Sequence, residues 1–141
     1  MTINELQDEI IDEFEVFDDW LERYQLISDY GKELKKNPMP ESDKTESNLI
    51  DGCQSKVWFT CRKEADGKLY FQGDSDALLV QGIVAILLHV LSGHTPQEIL
   101  NANLYFIQRI GLQEHLSPTR SNGVVAMLKQ IRLYALAYKN A

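Results

Sequence analysis

Val57-Trp58-Phe59-Thr60-Cys61-Arg62, then Asp66-Gly67, then Leu69-Tyr70-Phe71 is the stretch whose reading decides the fold. Its alternation sets Val57, Phe59 and Cys61 on one face and Trp58, Thr60 and Arg62 on the other, the two-residue period of a strand. Asp-Gly supplies a tight turn, so the chain is predicted to return as an antiparallel hairpin. Cys61 shares its face with two apolar side chains and reads as packing. Leu49 and Ile50 can add a short edge strand before it.

Immediately upstream, Asn48 to Trp58 carries Gly52-Cys53 where a loop hands over to the sheet. Glycine permits backbone angles other residues avoid, so the Cys53 thiol can sit on a tight, exposed turn. A thiol there can meet another molecule, or can be a merely tolerated surface cysteine. Asn37 to Asn48 is a loop, because Pro38 and Pro40 cannot continue a helix and the rest is polar. Before it, Thr2-Ile3-Asn4-Glu5 matches a capping box. Ile3, Leu6, Ile10 and Phe14 then recur at helical spacing, and Trp20, Leu21, Tyr24, Ile27 and Leu34 make a second helix from Asp18 or Asp19 to about Lys36. The polar faces of these helices are rich in Asp and Glu, which reads as an acidic docking face or as plain solvated surface.

Downstream, Gly73-Asp74-Ser75-Asp76 is expected to cap the apolar helix Ala77 to Ser92, since short oxygen-bearing side chains satisfy free amides. Gly93 ends that helix. Thr95-Pro96 starts another, Leu104 to Ile110 is helical up to Gly111, and Ser117 or Thr119 opens the last. That helix is expected from about Ser121 to Lys139, with Val124, Val125, Leu128, Ile131, Leu133 and Leu136 inward. Helices, a small antiparallel sheet, then helices again define an α+β fold, and residues 1–141 are expected to form one domain.

The bulk numbers narrow the function. A net charge of -7 with no Lys/Arg-rich run disfavours nucleic acid and favours a basic patch on a protein partner. The longest apolar run, Leu78 to Leu91, is interrupted and too short for a membrane span. The first residues lack the charged start and apolar core of a signal peptide, so a cytoplasmic location is expected, with both cysteines reduced. Cys53, Cys61, His89, His94 and His115 are potential zinc ligands, but no Cys-x-x-Cys and no i, i+4 His pair is present. Cys53 with His115 and Asn122 could be assembled as a hydrolase on paper, with nothing local to form an oxyanion site. A redox dithiol lacks its second cysteine. Sulfur exchange needs only one thiolate, which attacks a sulfur bonded to another cysteine and expels that cysteine's thiolate. Arg120 stands at the start of the last helix, where the helix dipole disfavours a cation by a few tenths of a kcal/mol or more. A carboxylate, or a Cys53 thiolate or persulfide, would compensate; otherwise Arg120 simply points into water.

Gly52-Cys53-Gln54-Ser55-Lys56-Val57-Trp58, Phe71-Gln72-Gly73-Asp74-Ser75-Asp76 and Leu116-Ser117-Pro118-Thr119-Arg120-Ser121-Asn122-Gly123 together resemble the signature segments of the SufE family of cysteine desulfuration proteins. The resemblance implies a fold similar to the IscU scaffold. It also implies that Cys53 takes persulfide sulfur from a SufS-type cysteine desulfurase, stimulates that enzyme, and passes sulfur to a SufBCD-type scaffold for iron–sulfur cluster assembly. The chain itself would be a carrier without a cofactor or metal, and the pyridoxal phosphate would belong to the desulfurase. Arg120 matches the family's arginine in Ser-Pro-x-Arg, and Asp74 the aspartate before the long helix. Two other readings compete: an acidic adaptor that activates a desulfurase without carrying sulfur, and a thiol redox sensor that forms sulfenic acid at Cys53.

Overall fold

Thr2 opens helix α1 (Ile3–Glu15) with both bonds of a capping box: Glu5 N donates to Thr2 Oγ1 at 3.1 Å, and Thr2 N to Glu5 Oε1 at 3.0 Å. The computed structural model describes residues 1–140. Helix α1 buries Ile3, Ile10, Ile11 and Phe14 and leaves its acids outside. Asp19 caps α2 (Trp20–Lys36), accepting from Leu21 N at 3.0 Å. Leu21 does not join the inward face expected for it. It is 74% exposed, while Ile27 is buried as expected, together with Gly31. The polar tract that follows holds two single 3-10 turns, Glu41–Asp43 and Glu46–Asn48, and buries Met39.

Strands β1 (Val57–Lys63) and β2 (Leu69–Ser75) pair antiparallel in register from Val57↔Ser75 to Lys63↔Leu69. A bridge from Leu49 to Trp58 adds the anticipated edge. Gly67, at φ +79, takes the turn between the strands.

The segment Gly73 to Asp76 departs from expectation. It does not cap a helix: β2 runs on to Ser75 with every second residue buried, and α3 (Leu78–Leu91) begins after Ala77 with no side-chain cap. Gly73 is there for space. A Cβ on it would come within 2.8 Å of the Phe59 ring and 2.9 Å of Val84. Asp74 consequently lies on a strand and pairs with Lys44 at 3.1 Å, while Lys44 Nζ sits 5.6 Å from the centre of the Trp58 ring.

Helix α3 is buried along most of its length, because α2, the sheet and α1 pack around it. At the α2–α3 contact two glycines bring backbones together: a Cβ on Gly82 would lie 2.2 Å from the Ile27 carbonyl oxygen. Thr95 and Glu98 form a second capping box at the start of α4 (Pro96–Asn101). The Leu104–Ile110 pattern condenses to α5 (Phe106–Arg109). Gly111, at φ +80, then leads into a short α6 (Leu112–His115) that periodicity does not indicate.

Ser117 caps α7 (Pro118–Lys139), which begins three residues before the expected Ser121 because Pro118 fits the first helical position. Its inward set also needs correction. Val124 and Ile131 are buried as expected, together with Met127 and Ala135, whereas Val125, Leu133 and Leu136 are 54%, 48% and 46% exposed. Tyrosines fasten α7 to β1: Tyr134 donates to the Phe59 carbonyl at 3.2 Å and Tyr138 to that of Cys61 at 3.1 Å.

Candidate functional site

The sharp turn at Asp51-Gly52 leads into Cys53, with Gly52 at φ +92. Both stems of this loop are tied down. On the entering side Ile50 N donates to the Val57 carbonyl at 2.8 Å. On the leaving side Lys56 N donates to Asp76 Oδ1 at 3.0 Å, and the Lys56 carbonyl accepts from Ser75 Oγ at 2.8 Å and from Asp76 N at 3.2 Å. The loop therefore hangs from the sheet by its ends while Asp51 to Ser55 lie beyond the ladder.

Cys53 is half-buried and folds back onto α7, its Sγ 3.6 Å from the Gly123 carbonyl oxygen. In that contact the thiol is the donor, so the bond stabilises the protonated form. Burial acts in the same direction and lifts the thiol above its ordinary range. Both effects favour the protonated thiol at rest, and a change in surroundings that removes either one raises its reactivity.

Cys53 and Arg120 line one cavity of about 470 Å³ together with Ser55, Asp76, Thr119 and Met127. The two sequence candidates meet here although 66 residues separate them in the chain. Arg120 is exposed, and its backbone N donates to the capping Ser117 Oγ at 3.3 Å. Among the described residues its guanidinium makes no ion pair. The third candidate, Asp74, is not among the cavity's lining residues and is bound to Lys44. Asp76 is the aspartate of this segment that reaches the site. Its signal is present in the motif, but the end of β2 at Ser75, which leaves Asp74 on the strand and Asp76 just beyond it, is hidden when the segment is read as a helix cap.

The other chemistries weighed from sequence find no geometry. Among the described residues no three His, Cys, Asp or Glu side chains group as a metal site. His115 stacks on Trp20 at 4.0 Å between ring centres, and Asn122 lines a different groove, so neither joins Cys53. His94 is buried beside Glu98, and burial lowers its tendency to protonate. Cys61 is packed as expected, and its thiol is pushed up to about 12 by burial, an effect partly opposed by the Arg62 charge. No described helix is long and apolar enough to cross a membrane.

The state of Cys53 has a measurable consequence. Since burial penalises the thiolate, alkylation by iodoacetamide in a Cys61→Ala background should be slower at neutral pH than for free cysteine. The rate should keep rising with pH beyond the midpoint of about 8.5 for an unperturbed thiol. A pH–rate profile reaching its plateau at or below that midpoint would mean the thiol is not sheltered in solution.

Fold and site together define an α+β protein that carries one free thiol on a braced loop against the start of a long helix. Residues 8–135 match the family profile described as SufE: Fe-S metabolism associated domain. An uncharacterized SufE-like protein of Synechocystis sp. is 42% identical over 130 residues, covering 92% of this chain and 80% of the relative. Another, from Rhizobium meliloti, is 40% identical over 129 residues, covering 89% of this chain and 91% of its own. The solution structure of a hypothetical protein from Thermus thermophilus superimposes with a TM-score of 0.78 at 21% identity, over 96% of this chain and 97% of that one. The chain belongs to the SufE family.

Proposed function

We propose that the chain is a sulfur carrier that receives sulfane sulfur on Cys53 from a SufS-type cysteine desulfurase and delivers it for iron–sulfur cluster assembly. The observation that bears most weight is the free Cys53 thiol on a loop held at both stems, sharing a cavity with Arg120. Membership of a family associated with Fe-S metabolism supports the same reading.

The step is a thiol–persulfide exchange. Cys53, as thiolate, attacks the outer sulfur of the donor's persulfide; a Cys53–sulfur bond forms, the donor's sulfur–sulfur bond breaks, and the donor cysteine leaves as thiolate. One persulfide replaces another, so no external oxidant or reductant is consumed. No cofactor or metal is required of the carrier, and a single domain over residues 1–141 in a reducing cytoplasm suffices. A SufBCD-type scaffold is the proposed recipient.

Docking releases the thiol from the Gly123 carbonyl and from its burial, and the anion then finds the Arg120 guanidinium beside it. Such a charge pair is partly exposed, so its contribution is modest, on the order of 1 kcal/mol. Arg120→Ala should therefore slow persulfide formation on Cys53 by about fivefold to tenfold without moving the melting temperature. Single-turnover transfer from persulfide-loaded desulfurase, read by mass spectrometry, is the measurement. An unchanged rate would leave Arg120 with a structural role only. The carrier reading itself is tested by locating the transferred sulfur, as developed below.

A further inference from the structure

Helix α7 differs from the rest of the chain in two respects. It carries Arg120, Lys129, Arg132 and Lys139 and no acid, in a protein of net charge -7 whose first helix carries only acids. All four cations are exposed, and among the described residues none is in an ion pair. Its outer side also shows Val125, Leu133 and Leu136, each about half exposed. With Lys129 these recur at i, i+4, i+8 and i+11, so they form one stripe along successive turns. Single exposed leucines need no explanation, but three large apolar residues aligned on one side of a helix, with one lysine among them, suit a contact surface.

The stripe adjoins the carrier loop. A groove of about 520 Å³ runs between α7 and the segment Leu49 to Gly52, lined on the helix by Val125, Ala126, Lys129 and Leu133. Gly52, the neighbour of Cys53, rests on Ala126, since a Cβ built on Gly52 would lie 3.3 Å from the Ala126 Cβ. Whatever fills the groove presses on the outer wall of the loop whose inner wall shelters the thiol.

We propose that the stripe Val125–Lys129–Leu133–Leu136 of α7 is the seat of the sulfur-donor protein. The donor meets it with an apolar projection rimmed by carboxylates and, in seating, displaces the Cys53 loop. This rests on the carrier reading above and adds the surface and the charge of the partner. Apolar contact supplies the affinity, and the unpaired cations select an acidic rim and speed encounter in a salt-dependent way. The acid-rich first helix, by contrast, would repel such a rim.

The test uses the full chain and a purified cysteine desulfurase supplied with L-cysteine, with binding measured by calorimetry and sulfur on Cys53 by mass spectrometry. Val125→Asp/Leu133→Asp should raise the donor concentration for half-maximal transfer by about tenfold or more, leaving the rate at saturation near that of the parent. Lys129→Glu should weaken binding less and flatten its salt dependence. Val16→Asp places the same change at an exposed apolar residue between α1 and α2, 76% accessible, and should have no effect. Reaction of Cys53 with a small aromatic disulfide should be alike in all variants, showing that fold and loop are intact. If the double variant binds and accepts sulfur as the parent does, the seat is elsewhere and the carrier reading survives. If the parent binds the donor through the stripe yet gains no sulfur, the carrier reading fails and the seat stands. A concentration-dependent dimer in light scattering that the double variant abolishes would assign the stripe to a second copy of this chain and overturn the proposal.

Discussion

A Cys53→Ser protein incubated with a cysteine desulfurase and L-cysteine is expected to gain no sulfur, while the parent gains sulfur at Cys53 and nowhere else. Serine preserves size and can still donate to the Gly123 carbonyl, so the loop should keep its resting place and the melting temperature should stay within a few degrees. What is lost is the nucleophile, because exchange at sulfur proceeds through a thiolate and a hydroxyl does not ionise near neutrality. Cys61 offers no substitute. It packs against the core on the same face as Val57 and Phe59, and burial, which pushes its thiol up to about 12, keeps it protonated at neutral pH. Cys61→Ala should therefore accept sulfur at nearly the parental rate. Peptide mapping by mass spectrometry separates the outcomes: sulfur added to the Cys53→Ser protein would end the carrier assignment. Desulfurase stimulation that survives in that variant would point to an adaptor.

Gly82→Ala should cost about 3 kcal/mol or more and lower the melting temperature by about 10 °C. In an ordinary exposed helix the same change stabilises, by up to about 1 kcal/mol. Here the new methyl would meet the Ile27 carbonyl oxygen at 2.2 Å, its carbon at 2.8 Å and its Cγ2 at 2.6 Å. Two of those atoms are backbone, so no rotamer change relieves the overlap, and α2 and α3 must move apart. The contact lies at the centre of the core, between the two helices that pack most extensively on each other. Gly67→Ala makes a useful contrast: nothing lies within 4 Å of its Cβ, and only the left-handed backbone resists, at about 1–2 kcal/mol. Denaturant unfolding of both variants checks the ranking. A Gly82→Ala protein as stable as the parent would mean that α2 and α3 do not touch there.

The parts of this fold that are legible in the sequence are those written locally. The Thr2 capping box, the Thr95-Pro96 helix start, the Asp66-Gly67 turn and the period of β1 each involve residues close together in the chain, and each is present. Gly73 misleads because a glycine looks the same whether a turn needs its backbone or a neighbouring ring needs its space; Phe59 and Val84, which decide the matter, are remote in sequence. The helix boundary and the role of Asp74 shift with it. The exposed side of α7 is hidden for a related reason. Apolar residues run around much of the helix, so periodicity alone does not show that the core covers Met127 and Ala135 and leaves Leu133 and Leu136 outside. At the site, Cys53 is legible from its loop and from the family's motifs. Its shared cavity with Arg120, and the hold of Asp76 on Lys56, depend on tertiary geometry with no local signal.

On the carrier reading proposed above, the two fixed stems set a length scale for delivery. Between the anchors at Ile50 and Lys56 the backbone makes six Cα-to-Cα steps, about 20 Å of contour, which doubled back gives a radius of about 10 Å. Cargo can travel that far without unzipping a single strand pair. If the chain carries sulfur as proposed, a short leash of this kind would oblige the donor to present its sulfur near its own rim and the recipient to come equally close, so that loading and unloading would share one small sphere and take turns.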